Sequence, residues 1–322
     1  MEQFAPLSMV IRCGVAVVKI DGPGKYYITY AITCICYMYF TLLMIEFPLK
    51  ENVLNGAVIE AFGKLMEDVQ NRGDINAILV MSAKHNSFIA GADVEMLKNA
   101  KSVQEATEMS QNGQRKFQQL EDSQIPIVAA IMGSCMGGGL ELALACHYRI
   151  AVRSDRTAFS FPEVRLGLLP GAGGTQRLPR IVALPTALDM MLSGRSIDAQ
   201  KAKQFGIVDV LLDPVLNEDG EVDGAKSLCY LEQIGVQAAL RLATKTLKVD
   251  RCASLWQTAY QWIMSSSIVW NRFIKPSTIS MIYSKGGNHY PATYAILKCI
   301  EDGVFRGPSI GYATEAEVND AI

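Results

Sequence analysis

Two carboxylates stand where acid–base chemistry is possible. Glu141 falls directly behind Gly137-Gly-Gly139, in the first turn of the otherwise apolar stretch Leu140-Glu-Leu-Ala-Leu-Ala145. Glu163 follows Pro162 in Phe159-Ser-Phe-Pro-Glu-Val164, where apolar neighbours desolvate a carboxylate and raise its pKa toward that of a useful acid. Singly, each is more often structural, and Glu141 can merely complement a helix dipole. As a pair, one leaving a glycine-lined helix start and the other a proline-fixed loop, they can converge on one water as base and acid.

Three glycine-bearing elements accompany them. In Gly133-Ser-Cys-Met-Gly-Gly-Gly-Leu-Glu141 the consecutive glycines leave bare backbone at a helix N-terminus, where unpaired N–H groups favour an anion or a developing oxyanion. The alternative is close packing of that helix on a neighbouring strand. Phe88-Ile-Ala-Gly-Ala-Asp93 reads as a strand-turn-helix corner, with Gly91 permitting the turn and Asp93 suited to N-cap the helix. Gly167-Leu-Leu-Pro-Gly-Ala-Gly-Gly-Thr-Gln-Arg177 fits neither GxGxxG nor GxxxxGK[ST], so nucleotide-phosphate readings lose their main support.

The elements that must position these residues alternate. Val15 to Ile20 is a β-branched run stopped by Asp21-Gly-Pro-Gly24. Apolar residues from Val58 to Val69 recur at helical spacing, Ala77 to Met81 and Ile125 to Ile131 read as strands, and Ser102 to Leu120 and Leu140 to Cys146 read as helices. A further helix is expected to begin at Asp93 to Leu97. The order argues an α/β unit to about residue 212. Beyond it, Asn217 to Gly224 is loop-like and the remainder to Ile322 reads mostly helical.

The chain has 322 residues, 50% of them hydrophobic and 19% charged, which excludes disorder as its main state. A net charge of −2 gives no bulk drive toward nucleic acid or an anionic membrane. Eight scattered cysteines without a CxxC pair read as reduced thiols. With His85, His147 and His289 as the histidines, no metal site is expected, and His147 reads as a helix-end residue. Tyr26 to Ile45 carries no charge and is long enough to span a bilayer. A span would separate strand Val15 to Ile20 from the sheet it must join, so an integral span is not expected. Residues 24–47 are instead read as an atypical apolar insertion, either an extra amphipathic or buried loop helix or untranslated sequence read through.

Together, Phe88-Ile-Ala-Gly-Ala-Asp93, Pro126-Ile-Val-Ala-Ala-Ile131, Gly137-Gly-Gly-Leu-Glu141, Phe161-Pro-Glu163 and Gly171-Ala-Gly-Gly-Thr-Gln-Arg-Leu-Pro179 resemble the crotonase, or enoyl-CoA hydratase, superfamily, in the family's order. The resemblance covers Gly14 to about Pro23 and Asn52 to about Leu212. More narrowly, Asp189-Met-Met-Leu-Ser-Gly-Arg-Ser196 and, weakly, the tail from Tyr290 to Tyr312 resemble the hydratase half of the mitochondrial trifunctional enzyme alpha subunit. It implies an α/β fold, a spiral of β-β-α units over 1–23 and 48–212, followed by a helical C-terminal region and linker helix over 213–322.

It also implies hydration of a 2-enoyl-CoA in fatty acid β-oxidation. Glu141 and Glu163 would hold the attacking water, Glu141 chiefly taking its proton and Glu163 delivering one to the α-carbon. The N–H groups of Ala92 and Gly138 would form the oxyanion hole, with Ala90, Gly91, Asp93 and Gly137 lining the substrate. No cofactor is expected, CoA being part of the substrate. Implied partners are further copies of the chain or a thiolase beta subunit, and no nucleic acid. Family isomerases often keep only the second carboxylate, so retention of both favours hydration over isomerisation. An inactive acyl-CoA-binding relative is the alternative from another class. The resemblance further implies the mitochondrial matrix, although Met1 to Arg12 lacks a presequence's character, which leaves the cytoplasm if the start is genuine. Nothing after residue 212 offers a strand followed by GxGxxG, so this chain alone is not expected to oxidise a hydroxyacyl-CoA.

Overall fold

Short apolar runs bounded by glycine and polar turns become strands, of which Ile75–Ser82, Ile127–Ile131 and Tyr148–Val152 are buried on both faces. The computed structural model describes residues 8–12, 15–19, 27–35, 38–46, 51–54, parts of 59–67, 75–92, 102–249, 255–284 and 291–318. Its strands are β1 (Ser8–Arg12), β2 (Val15–Lys19), β3 (Tyr27–Ile35), β4 (Met38–Glu46), β5 (Ile75–Ser82), β6 (Ser87–Ile89), β7 (Ile127–Ile131), β8 (Ser134–Met136), β9 (Tyr148–Val152), β10 (Ala158–Ser160), β11 (Ile197–Asp198) and β12 (Val210–Leu212). They form one sheet in the order β1-β2-β3-β4-β5-β7-β9-β12 and a second in the order β11-β10-β8-β6.

The helices are α1 (Val103–Glu121), α2 (Gly138–Ala145), α3 (Gly174–Ile181), α4 (Leu184–Ser193), α5 (Ala199–Gln204), α6 (Gly224–Ala243), α7 (Leu255–Met264), α8 (Ser267–Val269), α9 (Lys275–Ser284), α10 (Pro291–Phe305) and α11 (Pro308–Val318). The sequence thus runs β5-β6-α1, β7-β8-α2 and β9-β10-α3. In each unit the first strand joins the large sheet and the second the small one, with β5, β7 and β9 parallel neighbours and β6, β8 and β10 likewise. This is the expected spiral of β-β-α units, followed by the expected helical region.

β5, β7 and β9 of the large sheet are covered on both faces, in keeping with their apolar sequences. Ile78, Val80, Ile127 and Ala129 face the core shared with α2, α3 and α4. Leu79, Met81, Val128 and Ile150 face Leu231, Ala238 and Ala239 of α6. Ser102 caps α1 by accepting from the Glu105 N–H, as its position before the helical pattern predicts. At the other end of α2, the fully buried Arg149 donates to the carbonyls of Ala143 and Cys146, satisfying helix-end acceptors, and pairs with Asp209 at 3.7 Å. Arg149 thereby ties the end of α2 to β9 and to the segment before β12.

The apolar run is not a helix. β3 and β4 pair antiparallel from Tyr27↔Glu46 to Ile35↔Met38, and β4 then pairs parallel with β5 from Thr41↔Ile78 to Ile45↔Ser82. Tyrosine, threonine and isoleucine make up most of β3 and recur with Phe40 in β4, and such side chains favour the pleated surface over a helix. The expectation of an added loop helix is corrected accordingly, and the hairpin lies inside the sheet between β2 and β5. No helix among the described residues is long and apolar enough to cross a membrane. The residues described between 59 and 67 are helical with Met66 buried, whereas the helix start expected at Asp93 to Leu97 lies outside the described residues.

Candidate active site

The three glycines before Glu141 answer three different demands. Gly137 has φ +50°, and a Cβ there would strike Glu163 Oε1. Gly138 is the first residue of α2, so its N–H has no intrahelical acceptor. A Cβ on Gly139 would collide with the Ile89 carbonyl and its side chain, so α2 rests on β6 at this point. A backbone donor at the helix start and close packing on β6 thus fall on adjacent residues, Gly138 and Gly139.

The Phe88–Ala92 corner is brought against this helix start. Ala92 N lies 3.7 Å from where a Cβ on Gly138 would stand, and Gly91 Cα 3.6 Å from the equivalent position on Gly137. The bonds from Leu54 N to Gly91 O and from Ala90 N to Asn52 O precede Ala92, whose own N–H enters neither of them. Gly91 is buried, and Ala90 and Ala92 are half-buried. The corner is held by Asn52, fully buried, whose Nδ2 donates to Ser82 Oγ at 2.7 Å and to the Phe88 carbonyl at 3.0 Å. Asn52 went unremarked in the sequence because an isolated Asn beside a poorly patterned segment carries no signal. Asp93, expected to line the substrate, lies outside the described residues.

Both carboxylates border the glycine triplet, Glu163 at Gly137 and Glu141 at Gly138. Glu141 is buried, and its Oε1 accepts from the N–H groups of Ala172 at 2.8 Å and Gly174 at 2.7 Å. Its Oε2 lies 3.8 Å from the Cβ position of Gly138. Glu163 sits in a 3-10 turn, Pro162–Leu166, half-buried as a residue, with its Oε2 buried and without a hydrogen-bond partner among the described residues. The third glycine-rich loop thus serves as a clamp for Glu141, neither carboxylate being a bystander to the other.

A third carboxylate was not read from the sequence. Glu315 of α11 is fully buried, and its Oε1 accepts from the Gly173 N–H at 2.6 Å and from Gln114 Nε2 of α1 at 3.0 Å. Its Oε2 accepts from the Thr175 N–H at 3.2 Å and from the Thr175 hydroxyl. The one sequence signal is the spacing Gly311, Thr314, Glu315, a buried face at helical period.

Burial dominates the electrostatics. It pushes Glu163 up to about 8, with the negative charges of Glu141 and Glu315 adding to the shift. Burial likewise raises Glu141, opposed by the N–H bonds from Gly174 and Ala172 and by Arg177. Of these two, Glu163 is the one suited to hold a proton, having no donor on its buried oxygen, and Glu141 the one suited to accept a proton. The arrangement can therefore supply an acid, a base and two backbone donors around one small volume.

Other expectations fall into place around it. His147 follows α2, and its Nδ1 accepts from the Ile127 N–H at 3.1 Å, the structural role expected for it. Cys135, Cys146, Cys229 and Cys299 are free thiols. A separate cleft of about 860 Å³, lined by His147, Arg180, Lys203 and Tyr260 among others, contains neither Glu141 nor Glu163.

Comparison with known proteins gives a consistent result. A family model described as enoyl-CoA hydratase/isomerase matches residues 40–248. The fatty acid oxidation complex subunit alpha of Vibrio campbellii is 37% identical over 268 residues, 83% of this chain and 35% of that protein. The same-named subunit of Vibrio cholerae serotype O1 is 38% identical over 281 residues, covering 87% of this chain and 37% of its own length. This chain accordingly spans little more than a third of these relatives. Among solved structures, Pseudomonas aeruginosa DspI is 32% identical, with a TM-score of 0.54 over 67% of this chain and 83% of that one. An enoyl-CoA hydratase from Bacillus anthracis shares the fold at 22% identity, with a TM-score of 0.57 over 90% of both chains. The named relatives are bacterial and lend no support to a mitochondrial placement or to the mitochondrial subunit in particular.

Proposed function

Because this chain belongs to the enoyl-CoA hydratase/isomerase family, we propose that Glu141 and Glu163 add water across the double bond of a 2-enoyl-CoA, the hydration step of fatty acid β-oxidation. The observation that supports this reading best is a donor-bound Glu141 near Gly138 together with a Glu163 by Gly137 whose buried Oε2 has no hydrogen-bond partner among the described residues. The thioester oxygen sits at the N–H groups of Ala92 and Gly138, which stabilise the charge gathering on it as the enolate-like state forms. Gly137, Gly91 and Ala90 border that position, and their small size admits the thioester.

Water bonds through its oxygen to the β-carbon while Glu141 takes one of its protons. Glu163 gives its own proton to the α-carbon, and the proton on Glu141 then passes to Glu163 to restore the starting state. One water is consumed and no electrons leave the substrate, so no cofactor enters the balance. Retention of both carboxylates favours hydration over double-bond migration, which needs only one proton carrier.

The test is turnover of a 2-enoyl-CoA followed by loss of its conjugated absorbance. Glu141→Gln and Glu163→Gln should each depress kcat by about 10²- to 10⁴-fold, the usual contribution of a positioned acid or base. Near-normal turnover in either variant would remove the two-carboxylate mechanism. Binding of the thioester without turnover by the unaltered chain would instead favour an inactive acyl-CoA-binding subunit. Self-association or pairing with a thiolase-type subunit belongs to the same proposal and is read by sedimentation with and without that partner.

A further inference from the structure

The C-terminal helical hairpin reaches into the site. α10 and α11 cross at Gly303 and Gly311, where a Cβ on Gly311 would lie 2.6 Å from Gly303 Cα. The Gln176 side chain fills the crossing, and its Nε2 donates to the Cys299 carbonyl at 3.0 Å and to the Thr175 hydroxyl at 2.8 Å. From this crossing α11 presents Glu315 to the loop that also binds Glu141. The loop's N–H groups alternate: Ala172 and Gly174 bond Glu141, Gly173 and Thr175 bond Glu315.

Other groups hold the same loop without touching Glu141. Ser110 of α1 donates to the Gly171 carbonyl at 2.5 Å, and Arg177 donates to the Ala172 carbonyl at 2.8 Å while pairing with Glu121. Arg177 also lies over the Tyr312 ring, 5.5 Å from its centroid. Burying a carboxylate is costly unless donors satisfy it. Glu315 has four donors, and three of them come from the loop residues Gly173 and Thr175.

We propose that Glu315 is a positioning residue for the hydration, fixing the Gly171–Thr175 loop so that Glu141 is aimed at the water, and that the active site is incomplete without α11. The inference rests on the hydratase reading above. Loss of the Glu315 clasp frees Gly173 and Thr175, the loop turns, and Ala172 and Gly174 no longer hold Glu141 Oε1. A substrate that binds through Ala92 and Gly138 is bound as before, so the defect falls on kcat.

The experiment compares the unaltered chain with Glu315→Leu, Glu315→Gln and Glu317→Gln, the last an exposed glutamate on the same helix. Glu315→Leu should lower kcat about 30-fold or more with KM within about threefold, the split expected when a group is lost that acts only in the chemical step. Glu315→Gln, whose carbonyl still accepts from Gly173, should recover part of that loss, and Glu317→Gln should match the unaltered chain. If Glu315→Leu does not fold, Thr175→Val, which removes the hydroxyl bond and keeps Glu315, should lower kcat about threefold to tenfold at unchanged KM. Folded Glu315 variants with normal kcat, or losses that fall on KM alone, would overturn the inference while leaving the hydratase reading intact. Absence of turnover in the unaltered chain would overturn the hydratase reading and the inference with it.

Discussion

Glu141 and Glu315 grip one loop on alternate residues. Glu141 Oε1 takes the N–H groups of Ala172 and Gly174, and Glu315 takes those of Gly173 and Thr175, although 174 positions of sequence separate the two glutamates. Ala172 and Gly173 lead into α3 and Gly174 and Thr175 open it, and the N–H groups of this loop-to-helix junction end on two buried carboxylates. The loop is thereby a spacer between them, and what fixes one fixes the other. Three buried carboxylates in one region also repel, so full ionisation of all three is disfavoured at neutral pH.

The glycine triplet predicts a division between stability and activity. Gly139→Ala drives a methyl into the Ile89 carbonyl and side chain and should cost about 1–3 kcal/mol of folding free energy, as overpacking does. Gly137→Ala places its methyl against the movable Glu163 carboxylate and forces a non-glycine residue to φ +50°. The backbone there, at φ +50° and ψ −125°, makes a stability loss of about 1–3 kcal/mol expected for this variant too, but it alone should also lose kcat at least about tenfold, because the acid is displaced. Urea titration and steady-state kinetics on the two variants separate these effects, and equal losses in both measurements would contradict the assignment.

Stability should fall as pH rises. Glu163 and Glu315 are both pushed up to about 8 from an ordinary 4.5, chiefly by burial. Between those values the folded chain binds more protons than the unfolded chain, so unfolding free energy declines across that window and the decline ends above the folded pKa. Urea midpoints measured through the window should decrease, and Glu315→Gln should flatten the slope. A midpoint that climbs through the same range would contradict buried, protonated acids.

The same shift bears on turnover. If Glu163 delivers the proton to the α-carbon, kcat should fall as pH is raised through about 8, its value in the folded chain. The alkaline limb should disappear with the large loss of activity in Glu163→Gln. An unchanged alkaline limb in the residual activity would assign it to another group.

The hairpin of β3 and β4 offers a test by deletion. β2 pairs parallel with β4 through Ala16↔Thr41 and Val17↔Leu42, and β4 pairs parallel with β5, so β2 already runs in the direction needed to pair with β5. Removing Lys25–Leu49 should let β2 take the place of β4, giving a folded chain with amide protection across Val15–Lys19 and retained turnover. Failure of the shortened chain to fold would show that β4 is an obligatory strand of the sheet.

Much of the site was legible because its chemistry is local. Gly137–Glu141 and Pro162–Glu163 each carry their meaning within a few residues, and the alternation of short apolar runs with helical periods indicates an α/β unit, while the β-β-α spiral comes from the family resemblance. Glu315 was not legible, because its partners lie 140 and more positions away and its helix has only a brief buried face. Asn52 escaped for the same reason, its partners Ser82 and Phe88 being found only once β5 and β6 are assembled. The uncharged run misled because a lack of charge fits a span, a buried helix and a central strand alike. Its tyrosine, threonine and isoleucine content was the better guide.

The central claim is that Glu141 and Glu163 together add one water to an enoyl thioester. Single-turnover reaction of a 2-enoyl-CoA in water labelled with heavy oxygen and deuterium, read by mass spectrometry, tests it most directly. The expected product is a 3-hydroxyacyl-CoA carrying solvent oxygen on the β-carbon and one solvent hydrogen on the α-carbon, with formation collapsing in both Glu141→Gln and Glu163→Gln. Recovery of an isomerised enoyl-CoA without solvent oxygen, or of labelled product at a normal rate from either variant, would contradict it.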